Sequence, residues 1–195
     1  MAIRLQEVRK HPNAKVSLEQ YSTPADLAAE ILFHACYSFS DIRNKSVVDL
    51  GTGTGRLALG AVILGADYTV GIDIDGAAVK VASQAYTGPN ADWIIGDVSA
   101  LRGECDTVLM NPPFGTKRPH ADVRFLETAL NLGNVIYSIH KTATREFITN
   151  WLQKHSANYQ IIIDSKIEIG HEFRFHRKAK HTVKIQVYRI VPIKT

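Results

Sequence analysis

Asn111-Pro112-Pro113-Phe114 is the segment of this chain with the most defined chemistry. Two consecutive prolines remove two amide donors and restrict the backbone, leaving carbonyls with a set direction beside an asparagine amide. The result is a site of acceptors. The Asn111 side-chain oxygen and the Pro112 carbonyl can take both hydrogens of one planar NH2 group, while Phe114 stacks on the ring that carries it. Drawing both protons toward acceptors disfavours conjugation of the nitrogen lone pair with the ring, so the lone pair can aim at an electrophilic methyl group. If the leaving group is a sulfonium, no general base is needed for the attack, because the product cation loses its proton afterwards. Orientation and electrostatics then carry the catalysis. The amino groups of adenine and cytosine and the side-chain amide of glutamine all present this pair of donors, and the motif accommodates any of them.

Three motifs upstream could hold the methyl donor. Asp49-Leu50-Gly51-Thr52-Gly53-Thr54-Gly55-Arg56 has glycines at alternate positions, which let a backbone turn tightly and come against a ligand where a Cβ would obstruct it. The spacing is Gly-x-Gly-x-Gly rather than the Gly-x-Gly-x-x-Gly of dinucleotide binding, which favours a ligand without a pyrophosphate; S-adenosylmethionine fits. Asp73, with Ile74 after it, closes the next apolar run and could accept both ribose hydroxyls. Asp97-Val98 follows the third run and could bond an adenine amino group and press its ring, although Asp97 alone could equally be a helix cap.

Regular alternation is what would bring these motifs together. Short apolar runs at Val47–Leu50, Tyr68–Ile72, Trp93–Ile95, Thr107–Met110 and Asn134–Ile139 read as buried strands. Helical spacing fills Arg56–Leu64, Gly76–Tyr86 and Asp122–Leu132 between them, so the strands are expected to pair in parallel with helices on both faces. Each motif then falls at a strand's carboxyl end, the crevice where open α/β sheets bind ligands. Thr23-Pro24 before Ala25–His34 reads as N-cap and first turn of another helix. After the helical stretch Thr144–His155, the β-branched runs Tyr159–Ile169 and Thr182–Val191 read as an antiparallel pair.

At 195 residues the chain suits one domain, residues 1–195, with 45% hydrophobic and 22% charged residues in globular proportion and no stretch apolar enough to span a membrane. Met1–Lys15 carries no secretory signal, which points to the cytoplasm. Cys36 and Cys105 fit no metal-ligand spacing and read as small buried hydrophobes, so no metal site is expected. The net charge of +4 hides an asymmetry. Residues 1–165 hold 15 Lys and Arg against 17 Asp and Glu, whereas residues 166–195 hold 8 against 2. Clustered cations attract phosphate, so the basic end suggests nucleic acid; a solvated charged edge strand is the alternative.

These motifs resemble the class I, S-adenosylmethionine-dependent amino-methyltransferases, and more narrowly the methyltransferase-like protein 5 family with its archaeal relatives, which install N6-methyladenosine in small-subunit ribosomal RNA. Leu18-Glu19-Gln20-Tyr21-Ser22-Thr23, Asn111 to Lys117, Tyr137 to Lys141 and Phe173 to Lys178 carry the narrower likeness. It implies an α/β, three-layer Rossmann-like sheet, mostly parallel, with a C-terminal antiparallel hairpin over 159–195, a core over 23–158 and an N-terminal arm over 1–22. It further implies that Gln20, Tyr21 and Thr23 touch the cofactor, that Gly51, Thr54 and Arg56 line its methionine end, and that Asp73 and Asp97 hold ribose and adenine. Lys117, His140, Lys141, Arg174, His176, Arg177, Lys178 and Lys180 are then expected to meet structured RNA. A small zinc-binding activator protein pairing at a sheet edge is the partner the resemblance implies. DNA or protein-glutamine methylation, and a non-catalytic RNA-binding assembly role, are the competing expectations.

Overall fold

The five apolar runs become five parallel strands because the chain crosses back to the same end of the sheet after each, through a helix in three connections and through the short 3-10 turn Val98–Ala100 between the third strand and the fourth. The computed structural model describes residues 2–8, 22–113, 121–169 and 181–194. The strands are β1 (Ser46–Leu50), β2 (Tyr68–Asp73), β3 (Ala91–Ile95), β4 (Cys105–Met110), β5 (Gly133–Lys141), β6 (Ala157–Ile169) and β7 (His181–Pro192). The helices are α1 (Ala2–Gln6), α2 (Ala25–Phe33), α3 (Arg56–Ile63), α4 (Gly76–Ala85), α5 (Ala121–Leu132) and α6 (Arg145–Lys154).

All seven strands form one sheet in the order β3-β2-β1-β4-β5-β7-β6. β1 to β5 pair in parallel, and β7 enters antiparallel between β5 and β6. The expected α/β sheet with an antiparallel C-terminal hairpin is therefore what the chain forms, with the second strand of the hairpin inside and the first at the edge. Burial explains that choice. Ile185, Val187, Tyr188 and Ile190 of β7 are all inaccessible, as an inner strand requires, whereas β6 leaves Asn158, Tyr159, Gln160, Asp164 and Lys166 in solvent.

One face of the sheet packs Val47, Leu109, Tyr137 and Val187 against α1, α2 and α3; the other packs Val48, Val108, Ile136 and Tyr188 against α5 and α6. Cys36 and Cys105 are buried apolar side chains, as expected. Two boundaries differ from the sequence reading. The helix after Thr23 starts at Ala25, with Pro24 in the cap position and no side-chain cap, because the Thr23 hydroxyl is engaged elsewhere. That helix also runs on past Phe33 into a π-helical turn, His34–Ser38.

Candidate active site

Pairing of Leu50 with both Ile72 and Met110 sets the carboxyl ends of β1, β2 and β4 side by side. The glycine loop leaves β1 and Asn111 leaves β4 next to it. Gly51, Gly53 and Gly55 all have positive φ, at 69°, 56° and 87°. A Cβ on Gly51 would meet the Phe125 ring at 2.9 Å, and one on Gly55 would meet Ala82 and Trp93 at 2.9 Å. At Gly53 a Cβ would point into open space, so this stretch of backbone can accept a ligand lying against it.

Two carboxylates hold the loop. Asp49 is fully buried and accepts from the Thr52 hydroxyl at 2.8 Å and the Ala58 amide at 3.0 Å. Burial pushes its acid up to about 7, against the pull of those two donors. Asp49 is therefore a strut beneath the loop. Because its ordinary value is 3.8, the folded protein keeps a proton between about pH 4 and 7 that the unfolded chain has lost, so this group's stabilisation is complete below pH 4 and disappears as pH rises to 7. Asp49→Asn has no such proton, and its Tm relative to wild type should climb from pH 5 to pH 8, by the equivalent of about 2 to 4 kcal/mol. Parallel pH curves for the two proteins would contradict this.

Asp73 does the complementary job at the end of β2. Its Oδ2 accepts from the Gly53 amide and its Oδ1 from the Asp75 amide, both at 2.9 Å. A half-exposed carboxylate is thus presented at the cradle, with Ile74 beside it, 56% exposed. The apolar face next to it is supplied by Ile95, 64% exposed and packed against Gly76, rather than by Val98, which is buried in the second core.

Asp97 follows its capping alternative. Its Oδ1 accepts from the Ser99 amide at 2.9 Å and the Ser99 hydroxyl at 2.7 Å, and its Oδ2 from Arg124 at 2.9 Å. The Ser99 bonds chiefly, with Arg124 adding to them, hold its acid below the usual range. An adenine amino group would share Oδ2 with Arg124, a partner on α5 that lies too far along the chain for the sequence motif to signal it.

Arg56, at the first position of α3, clasps the N-terminal segment. Its guanidinium donates to the carbonyls of Leu5 (3.1 Å), Val8 (3.4 Å) and Thr23. Both flanks of the segment that contains Gln20 and Tyr21 are thereby brought to the start of α3. Gln20 and Tyr21 lie outside the described residues, as do Phe114, Lys117, Arg174, His176, Arg177, Lys178 and Lys180.

The most informative contact joins two motifs that the sequence reading kept apart. Asn111 Nδ2 donates to the buried Thr23 hydroxyl at 3.1 Å, which ties the amide to the segment before α2 and turns the enclosed Oδ1 to its other side. Pro112 is buried beside it and Pro113 half-buried. Thr23 is therefore a positioning residue for Asn111. Thr23→Val should cut kcat about 10- to 100-fold with little change in cofactor affinity, and Thr23→Ser should restore most of it. A loss confined to cofactor affinity would return Thr23 to the cofactor-contact role.

One expected RNA contact is corrected. His140 is 2% exposed, its Nε2 within 2.7 Å of the Ser138 hydroxyl and its ring edge-on to Tyr188 at 5.6 Å. Burial drives its acid down to about 3, so the ring is neutral at working pH and offers no charge to a phosphate. β7 pairs with β5 as far as Lys141, so this strand end lies inside the sheet, and His140 is the satisfied buried histidine common at such positions. Lys141 itself is half-buried at that end.

Comparison with known proteins separates the two halves of the site. A family model for ribosomal protein L11 methyltransferase (PrmA) matches residues 10–108, which spans the glycine loop, Asp73 and Asp97 and stops short of Asn111. The similarity to the rRNA N(6)-adenosine-methyltransferase Mettl5 of Drosophila melanogaster continues through Asn111, at 38% identity over 95% of this chain and 92% of that one. The Danio rerio METTL5 protein is 35% identical over 96% of this chain and 95% of its own. Among solved structures, PH1948 of Pyrococcus horikoshii, provisionally described as an RNA methyltransferase, superposes with a TM-score of 0.92 at 40% identity, covering 99% of this chain and 96% of that one. A magnesium protoporphyrin IX methyltransferase from Synechocystis with bound SAM shares the fold, at TM-score 0.65 and 15% identity over 97% of this chain and 90% of that one. By the likeness that runs through both halves of the site, the chain belongs to the methyltransferase-like protein 5 family of rRNA N6-adenosine-methyltransferases.

Proposed function

We propose that this protein transfers a methyl group from S-adenosylmethionine to N6 of an adenosine in structured RNA, small-subunit ribosomal RNA being the substrate. The observation that carries the reading is the Asn111 amide, held by Thr23 at the strand end adjoining the glycine loop. The cofactor's electrophilic methyl is what the loop side supplies. Gly51 to Gly55 cradle it, Asp73 takes the ribose, and Ile74 and Ile95 offer apolar surface to the adenine. Asn111 and Pro112 accept the two N6 protons, Pro113 stiffens the turn and Phe114 stacks on the base. Thr52 and Thr54 are buried in the loop, and Thr52 serves the cradle through its bond to Asp49.

Incubation with labelled S-adenosylmethionine and small-subunit rRNA, duplex DNA or a glutamine-containing release factor tests the acceptor. Label should appear as N6-methyladenosine in the RNA digest; label in DNA or protein alone would overturn the reading. Among the described residues no helix is long and apolar enough to cross a membrane, and we place the protein in the cytoplasm with its substrate. A small zinc-binding activator is the proposed partner. β3 ends the sheet with Ile94 and Ile95 exposed beside an open strand edge, a surface that an added strand would cover.

A further inference from the structure

β6 and β7 outrun the rest of the sheet on the side where the base must arrive. The last pair between β5 and β7 is Lys141 with Ile185, yet β6 and β7 continue pairing through Lys166–Lys184, Ile167–Val183, Glu168–Thr182 and Ile169–His181. The hairpin therefore projects about 14 Å beyond the carboxyl end of β5, at about 3.4 Å per residue. Ile167, Ile185 and Val183 turn to the core shared with α1 and α2, so Lys166 and Lys184 turn to the opposite face, with Asp164 and Gln186 one step nearer the sheet.

Lys166 and Lys184 sit directly across from each other, a like-charge pair that weakens a ladder. Both are exposed, and neither forms a hydrogen bond or ion pair among the described residues, although Asp164 lies two positions along and is bonded to Gln186. β7 also packs against the Thr142–Thr144 turn, which leads straight into exposed Arg145 at the start of α6. A pair held at a cost to the fold, on an overhang beside the crevice, is suited to a polyanion.

We propose that Lys166 and Lys184, together with Arg145, form a track for the phosphodiester backbone of the substrate RNA, guiding the target nucleotide toward Asn111. The inference rests on the RNA-methyltransferase reading and adds residues to it. Each lysine neutralises one phosphate and releases its counterion, so K166A/K184A should bind a structured rRNA fragment about 50-fold more weakly at 0.1 M salt, with the slope of log K against log salt reduced by about 2. K80A, on α4 beside β2 and β3 at the other end of the sheet, should bind as wild type does. Lys184→Glu, which lowers the charge by the same two units, should weaken RNA binding comparably while its Tm equals or exceeds that of wild type, because an opposite-charge pair replaces a repulsive one. An unchanged salt slope in K166A/K184A, an equal loss in K80A, or a lowered Tm in Lys184→Glu would overturn the track. Wild-type methylation of the same fragment is measured alongside: if it proceeds while the slope is unchanged, only the track falls, and if it never occurs, the underlying reading falls first.

Discussion

Replacement of Asn111 by alanine should reduce the rate of methyl transfer about 100- to 1000-fold while S-adenosylmethionine binds within about threefold of wild type. The expectation follows from what the side chain does. Pro112 and Pro113 have no amide hydrogen to give, and Asn111 is held by Thr23, so on the proposed function Oδ1 and a proline carbonyl would be the acceptors that orient the substrate amino group. Loss of one of two preorganised partners at a reacting centre costs about 3 to 4 kcal/mol in comparable sites. Asn111→Asp gives a sharper result. A carboxylate keeps the acceptor, and the Thr23 hydroxyl can rotate to donate where it now accepts, so this variant should lose only about tenfold. The order wild type, then Asp, then Ala, measured in single turnovers at saturating cofactor and RNA, is the signature of an acceptor role. Equal losses in Asp and Ala would point to shape rather than hydrogen bonding.

That the amide depends on Thr23 could not be read from the chain, since 88 residues separate the two and each motif has its own local explanation. Thr23 before Pro24 looks like a helix cap, and the cap pattern is local chemistry that tertiary contact overrides. The strands, by contrast, were legible, because buried parallel strands are continuous apolar runs and the helices between them keep their own period, but β3 does not have the burial its apolar run suggests: it ends the sheet and leaves Ile94 and Ile95 exposed. His140 shows where that legibility stops. A strand-end histidine is commonly a satisfied polar residue, and the RNA role came from the resemblance alone; with β7 alongside β5 the ring is buried against Ser138 and Tyr188. Arg56 misleads for a similar reason. It stands at the first turn after the glycines, where a cofactor contact is natural, yet among the described residues it donates to backbone carbonyls of Leu5, Val8 and Thr23, which carry no side-chain signature.

Those two classes of error have one physical origin. Residues whose partners are local, such as Asp75 capping α4 through the Ala77 amide or Asp97 capping its turn through Ser99, can be inferred from spacing. Residues whose partners come from distant strands or from carbonyls need the topology first. The cradle belongs mostly to the first kind, the base-facing end of the site mostly to the second.

Asp73→Ala should raise the dissociation constant for S-adenosylmethionine about 100-fold or more. Its carboxylate accepts from the Gly53 and Asp75 amides, so it fixes the glycine loop to the end of β2 before any ligand arrives. The ribose diol would add two bonds to a charged acceptor, each worth about 1.5 kcal/mol, and two such bonds account for a factor of about 100 in affinity. Loosening of the loop adds to that loss. Asp73→Asn keeps one oxygen for the Gly53 amide but turns an NH2 where an acceptor is needed, and should lose about tenfold. Because the defect is in binding, saturating cofactor should bring kcat of Asp73→Ala back to near the wild-type value, whereas no concentration of cofactor should rescue Asn111→Ala. Calorimetry of cofactor binding and turnover at saturation, applied to both variants, therefore separates a cradle that holds the methyl donor from an end that aims the methyl acceptor. Failure of saturating cofactor to restore Asp73→Ala would mean that the carboxylate organises the acceptor side as well.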